Sequence, residues 1–263
     1  MNQPAAAKRR TLKQKLLEGE TVFGTFFTTA VCPSIVKHIP EGTLDFVVAS
    51  SEHTSLDLAE FMPLYHALQA KGIPCLVRTH SREPDDVSKV CDVFDGVVVP
   101  YVEDVEQAKR LAAAAVYRPL KGVALERVLN EGKWPSPATQ KYVTETKCPD
   151  TLFIPMIESV LGVENLDAIC SIPGVNAVFV GPNDLTVNMG IPNEYDNPVF
   201  VDLLKKIIDV ADRRHVAAGC WFGKHDQMLR TIKQGSRFIV YGNDGSFFQD
   251  ALTRAFTPLR QAI

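Results

Sequence analysis

Five polar clusters in this chain each follow an apolar run, and their residue types could do chemistry together. Glu158 ends LFIPMIE. Asp184 follows NAVFVGPN. Arg78 ends PCLVR. His53 follows FVVASSE. Asn243 and Asp244 follow RFIVYG. A carboxylate at the end of an apolar strand is costly to bury unpaired, so Glu158 needs a cation. If Asp184 converges on it, two hard oxygen ligands with open positions suit Mg²⁺ or Mn²⁺ completed by water. The alternatives are a helix cap, which Asp184 could form, or a pair with Arg or Lys. Arg78 can grip a carboxylate or an enolate oxygen, or can be a structural salt bridge. His53 is the natural general base, because imidazole ordinarily titrates near neutrality. A satisfied structural histidine fits its pattern equally well. His38, His66, His80, His215 and His225 fall in helical or loop contexts and read as surface or capping residues. Of these, His80 alone, two residues past Arg78, is near enough to join the same site.

These residues need a scaffold that brings strand ends together. Short β-rich runs occur at 22–27, 45–49, 74–79, 96–101, 122–125, 152–158, 177–181, 217–222 and 238–242. Runs such as GVVVPY, NAVFVG and RFIVYG are apolar at successive positions, as in parallel strands covered on both faces. Helical periods lie between them, at 83–94, 105–116, 163–172, 199–213 and 225–234, the last followed by Gly235 as a C-terminal cap. Alternating β and α segments predict an α/β fold. An eight-stranded barrel needs eight of the nine candidates, and 122–125 is the weakest. An open doubly wound sheet would usually carry a Gly-rich phosphate loop after its first strand. Here that place reads TTAVCPS, with no GxGxxG and no P-loop, which favours a TIM-type (β/α)8 barrel. The expected organisation is an N-terminal arm and first helix over 1–20, then a single barrel domain with a C-terminal helix over 21–263. The segment 130–149 reads as a long βα loop. In such a barrel the active site sits at the C-terminal ends of the strands, where all five clusters fall.

Composition narrows the partners. The 263 residues are 46% hydrophobic and 22% charged, which excludes a disordered chain. The formal net charge of -3 argues against nucleic acid as a partner. No run of membrane-spanning length occurs, and the N-terminal basic cluster Lys8-Arg9-Arg10 lacks an apolar stretch of signal-peptide length, so it reads as a solvated arm. The six cysteines form no CxxC pair and read as small core residues of a reduced compartment. The cytoplasm is the expected location.

Together the strand-end motifs resemble the class II pyruvate-dependent aldolases of the HpcH/HpaI type, relatives of the citrate lyase β-subunit. The motifs are SSEHTS at 50–55, LVR at 76–78, CDVFDGVVVPYV at 91–102, PMIES at 155–159 and GPNDLT at 181–186, with a family-like final segment over 219–244. The spacings from His53 to Arg78 (25 residues) and from Glu158 to Asp184 (26 residues) match as well. The resemblance implies a pyruvate-domain-like TIM barrel, in trimers or hexamers with a helix exchanged between neighbours. Glu158 and Asp184 would ligate a divalent metal, Mg²⁺ or Mn²⁺, with Co²⁺ a further option. Pyruvate would chelate it, and Arg78 would stabilise the developing enolate. Backbone N–H groups of Gly181, Asn183 and Asp184 would hold the pyruvate carboxylate; Pro182 has none. His53 would manage the proton on the aldol hydroxyl, and Asp92 would orient that histidine, often from a neighbouring subunit. The implied reaction is reversible cleavage of a 4-hydroxy-2-oxo acid to pyruvate and an aldehyde.

Three departures from the family pattern accompany these matches. Ser50 stands where the family often has Asp. Met156 stands where many members have Gln. Lys121-Gly122 and Leu125-Glu126-Arg127 replace part of the usual Arg-Gly segment. The competing readings are a CoA-ester lyase of the citryl- or malyl-CoA type, an oxaloacetate decarboxylase or specialised enolate carbon–carbon bond-forming enzyme, and a barrel that only binds. The chain shows no evident CoA-binding segment, and its intact metal pair argues against the non-catalytic barrel.

Overall fold

A computed structural model describes residues 10–263; Lys8 and Arg9 of the basic arm lie outside the described residues. Eight parallel strands close into a barrel in chain order. They are β1 (Val22–Phe27), β2 (Phe46–Ser50), β3 (Cys75–Arg78), β4 (Gly96–Val99), β5 (Leu152–Ile157), β6 (Ala177–Val180), β7 (Ala217–Phe222) and β8 (Phe238–Asn243). The helices are α1 (Leu12–Leu17), α2 (Leu58–Ala70), α3 (Pro84–Cys91), α4 (Val105–Val116), α5 (Gly122–Glu131), α6 (Pro137–Lys141), α7 (Val160–Glu164), α8 (Leu166–Cys170), α9 (Pro182–Asn188), α10 (Pro198–Arg213), α11 (His225–Lys233) and α12 (Asp244–Gln261). The TIM-type barrel is therefore the fold of this chain.

Eight of the nine expected strands are present. The exception, 122–125, opens α5 instead. GVALERVLNE repeats its apolar residues at helical spacing, and Gly132 ends it in a left-handed turn at φ 65°. Lys121 accordingly precedes a helix rather than a strand. The segment 163–172 is broken at Asn165, which closes α7 and opens α8 while its side-chain amide donates to the Glu103 carbonyl at 2.8 Å. The loop expected at 130–149 carries α6 and a π-helical turn, Tyr142–Lys147.

Alternation along the strands divides the core. In β5, Leu152, Ile154 and Met156 point into the barrel, while Phe153 and Ile157 face the helices. Inside, the rings of Phe46 and Phe238 stack with centroids 4.5 Å apart, and Phe179 meets Phe238 edge-on at 6.0 Å. Gly24 makes this possible: a Cβ there would lie 2.5 Å from the Phe46 ring. At the N-terminal end, α1 begins with a Thr11–Gln14 capping box and inserts Leu12 and Leu16 into the same interior cluster. The bottom of the barrel is thus plugged by apolar side chains, and the open mouth is left to the polar strand ends.

The interior stack gives a direct test. Phe238→Ala should cost about 3–5 kcal/mol, because the emptied volume cannot collapse within a closed barrel. A lowered urea midpoint at unchanged slope is the expected result.

Candidate active site

The five strand-end clusters meet at the C-terminal mouth. A cleft of about 200 Å³ there is lined by Thr28, His53, Arg78, Glu158, Asn183, Asp184 and Asn243, over an apolar floor that includes Phe26, Met156 and Phe179. Glu158 is the deepest charge, with 4% of its surface exposed. It follows β5 directly, so the strand carries it into the mouth. One carboxylate oxygen accepts from the Tyr101 backbone N–H at 2.9 Å. Tyr101 holds a left-handed conformation at φ 52° to aim that donor, a strain of about 1–3 kcal/mol that functional sites often store. The other carboxylate oxygen packs against Gly181, where a Cβ would lie only 2.0 Å away. Gly181 is therefore needed for this close approach.

Desolvation pushes the Glu158 carboxyl up to about 7; the Tyr101 N–H opposes this, Glu52 and Asp184 reinforce it, and Arg78 opposes it. A buried carboxylate beside two others takes up a proton when no sufficient cation is present. The donor set therefore fits a divalent cation held by Glu158 and Asp184. No group of three or more His, Cys, Asp or Glu in a metal-holding arrangement occurs among the described residues. Two protein carboxylates would leave positions for water and substrate, as Mg²⁺ and Mn²⁺ prefer. In the first turn of α9, the N–H groups of Asn183 and Asp184 lie beside the pair and have no intrahelical acceptor.

Arg78 is anchored rather than free. Its Nε donates to the Ser50 hydroxyl at 2.8 Å and lies 3.3 Å from a Glu52 carboxylate oxygen. Its guanidinium sits 4.7 Å above the Phe26 ring. Burial draws this guanidinium down from its ordinary value, opposed by Glu52, Glu158 and Asp184 in turn. His53 stands at the rim with an exposed ring and a left-handed backbone at φ 60°.

Some expected residues fall elsewhere. His80 lines a separate cleft with Ser51, Thr79 and Asp86, because the chain turns outward after β3. Asp92 ends at α3, with its carboxylate 3.2 Å from Arg118 Nε, and does not line the cleft of its own chain. Asp244 does not line the cleft either. Its carboxylate accepts from the Thr28, Thr29 and Ala30 N–H groups and from the Thr28 hydroxyl, fixing the loop after β1 to the start of α12. Phe26 and Thr28 fall in no motif, and Glu52, Tyr101 and Trp221 fall inside family-like segments that gave them no role of their own. Their positions in or just after β1, after β2 and β4, and near the end of β7 were the available signal.

The family sequence model described as HpcH/HpaI aldolase/citrate lyase matches residues 24–251. The chain belongs to this family. It is an enzyme of the lyase class. A 5-keto-4-deoxy-D-glucarate aldolase from Enterobacter sp. (strain 638) is 28% identical over 211 residues, covering 79% of this chain and 80% of that one. An HpcH/HpaI aldolase from Desulfitobacterium hafniense DCB-2 superposes with a TM-score of 0.81 at 25% identity, over 95% of this chain and 96% of that one. A family protein from Burkholderia cenocepacia J2315 shares the fold, with a TM-score of 0.80 at 23% identity over 95% and 98%. Among the described residues no helix is long and apolar enough to cross a membrane.

The raised Glu158 carboxyl has a measurable consequence. Its folded-state value of about 7 lies above the ordinary 4.5, so the folded state holds the proton more tightly. That contribution is complete below pH 4.5 and is lost as pH rises through about 7. In EDTA, stability should fall by on the order of 3 kcal/mol over this window. Glu158→Gln should flatten the dependence, and chemical denaturation at several pH values reads it.

Proposed function

We propose that this enzyme is a divalent-metal-dependent aldolase that reversibly cleaves a 4-hydroxy-2-oxo acid to pyruvate and an aldehyde. The observation that carries this reading is the convergence of Glu158, Asp184 and Arg78 in one cleft at the barrel mouth. Two acidic groups beside a buried guanidinium suit a substrate that gains enolate charge next to a cation. Glu158 and Asp184 would hold Mg²⁺ or Mn²⁺, which supplies Lewis-acid polarisation of the keto group when bound.

The chain's own residues then have distinct tasks. Arg78, fixed by Ser50, faces the developing enolate oxygen with its guanidinium. The first-turn N–H groups of α9 bind the pyruvate carboxylate. His53 takes the proton of the C4 hydroxyl, through water, as the carbon–carbon bond breaks, and returns it in the synthetic direction. The apolar floor excludes bulk water from the carbon that is protonated. Asp92, turned away from its own cleft, would serve the site of a neighbouring subunit.

Assembly into trimers or hexamers belongs to the same proposal. α12 buries none of its side chains, and Phe248, Leu252, Phe256 and Leu259 on it are exposed. A helix with this apolar surface suits packing against another copy of the chain. The glucarate-derived substrate named for the Enterobacter relative is one member of the proposed substrate class. Cytoplasmic location accords with six unpaired cysteines, five of them buried.

Two experiments test the reading. In D₂O, EDTA-treated protein should exchange the methyl protons of pyruvate after Mg²⁺, Mn²⁺ or Co²⁺ is added, as read by NMR. Glu158→Ala or Asp184→Ala should abolish exchange in a folded barrel, and His53→Ala should keep it while losing aldol cleavage at least about 100-fold. Absence of exchange with every metal would overturn the assignment. In analytical ultracentrifugation the protein should sediment as a trimer or hexamer, and Phe248→Glu with Phe256→Glu should shift it towards monomer.

A further inference from the structure

The departure at position 50 removes a carboxylate from beside His53, and the structure shows what stands there instead. Ser50 is fully buried, and its hydroxyl is used twice. It accepts from Arg78 Nε at 2.8 Å and donates to the Glu52 carbonyl at 3.0 Å. A carboxylate could accept from Arg78 but could not make that donation. Arg78 Nη2 reaches the same Glu52 carbonyl at 3.3 Å. In return, the Arg78 carbonyl accepts from the Ser51 N–H at 2.9 Å and the Ser51 hydroxyl at 3.1 Å. The Thr54 hydroxyl closes the turn on the Ser50 carbonyl at 2.9 Å. The loop 50–54 is thus zipped to Arg78, and this over-determination sustains the strained backbone of His53.

One side chain in that loop bridges the two functional groups. A single Glu52 carboxylate oxygen lies 3.3 Å from Arg78 Nε and 4.0 Å from His53 Nε2. Among the described residues Glu52 is the one acidic group in ion-pair reach of His53. The imidazole itself is largely exposed, at 71%, so nothing else on its own chain restrains it. We infer that Glu52 is the positioning carboxylate of this site, holding His53 and Arg78 in register with each other in place of a carboxylate at position 50. Glu52 is not among the residues that line the cleft, and it would act through the imidazole that moves the hydroxyl proton. A misplaced base costs rate even when the substrate still binds. The inference rests on the proposed aldol cleavage and assigns the support of its base.

The test uses the full chain with Mn²⁺ and a 4-hydroxy-2-oxo acid that the wild type cleaves. Glu52→Gln keeps the shape and removes the charge; Glu52→Asp keeps the charge. For Glu52→Gln the expected result is a 10- to 100-fold loss of kcat for cleavage, with KM and pyruvate methyl exchange within about threefold. Glu52→Asp should recover several-fold of the lost kcat. Crystal structures should show one His53 ring position in the wild type and several in Glu52→Gln. Cleavage within twofold of wild type in Glu52→Gln would overturn the inference. So would equal losses of cleavage and exchange, which indicate a collapsed site, or an unchanged His53 ring. Failure of the wild type itself to exchange pyruvate protons with any metal overturns the aldolase reading, a result seen before any Glu52 variant is made.

Discussion

A carboxylate that an apolar strand carries into the mouth of the barrel is the constraint on which the surrounding structure depends. Glu158 follows five buried hydrophobic residues of β5 and a proline, and it cannot retreat to water without breaking the strand. Its neighbours are arranged for that charge. Tyr101 accepts a strained backbone to donate to it, Gly181 gives up a side chain to admit it, and Arg78 faces it from β3. With two further acidic groups close by, this corner carries more negative charge than a single guanidinium offsets. A cation and an anionic substrate complete the balance.

The other side of the mouth is built from a different kind of bond. Glu158 is held through desolvation and one backbone donor, whereas Arg78 and His53 are held by a zip of short polar contacts between β3 and the loop after β2. These contacts are local, directional and largely buried, so they fix orientation more than they add stability. Ser50 is central because a hydroxyl can both accept and donate. The carboxylate of this loop is Glu52, two residues along, between Arg78 and His53. The same division recurs at β8, where Asn243 lines the cleft and Asp244 ties α12 to the loop that carries Thr28.

Much of the fold was legible from pattern alone. Strands buried on both faces read as continuous apolar runs, and their alternation with helical periods left few architectures open. The misplaced element, 122–125, was short, and four residues of GVAL do not separate a strand from the first turn of a helix. The break at Asn165 depends on a contact distant in sequence, with the Glu103 carbonyl, and neither it nor the π-helical turn at Tyr142–Lys147 left a periodic signal. In the site, Glu158, Asp184, Arg78 and His53 were legible because charge after an apolar strand is chemically conspicuous. Tyr101 was not, since it contributes a backbone N–H, and Glu52 was hidden by its neighbour His53.

The sequence by itself determined the barrel, the order of its strands' polar ends and the chemical types gathered there, because periodicity and burial are encoded residue by residue. The tertiary structure decided which of those groups meet. His80, two residues beyond the end of β3, faces a separate cleft, and Asp92, inside a family-like motif, stands at the end of α3 against Arg118. Glu52, Tyr101 and Gly181 acquire their roles from partners 26, 57 and 23 residues away, at Arg78, Glu158 and Glu158 again. Such pairings are set by the closure of the sheet, which places strands far apart in the chain within hydrogen-bonding distance.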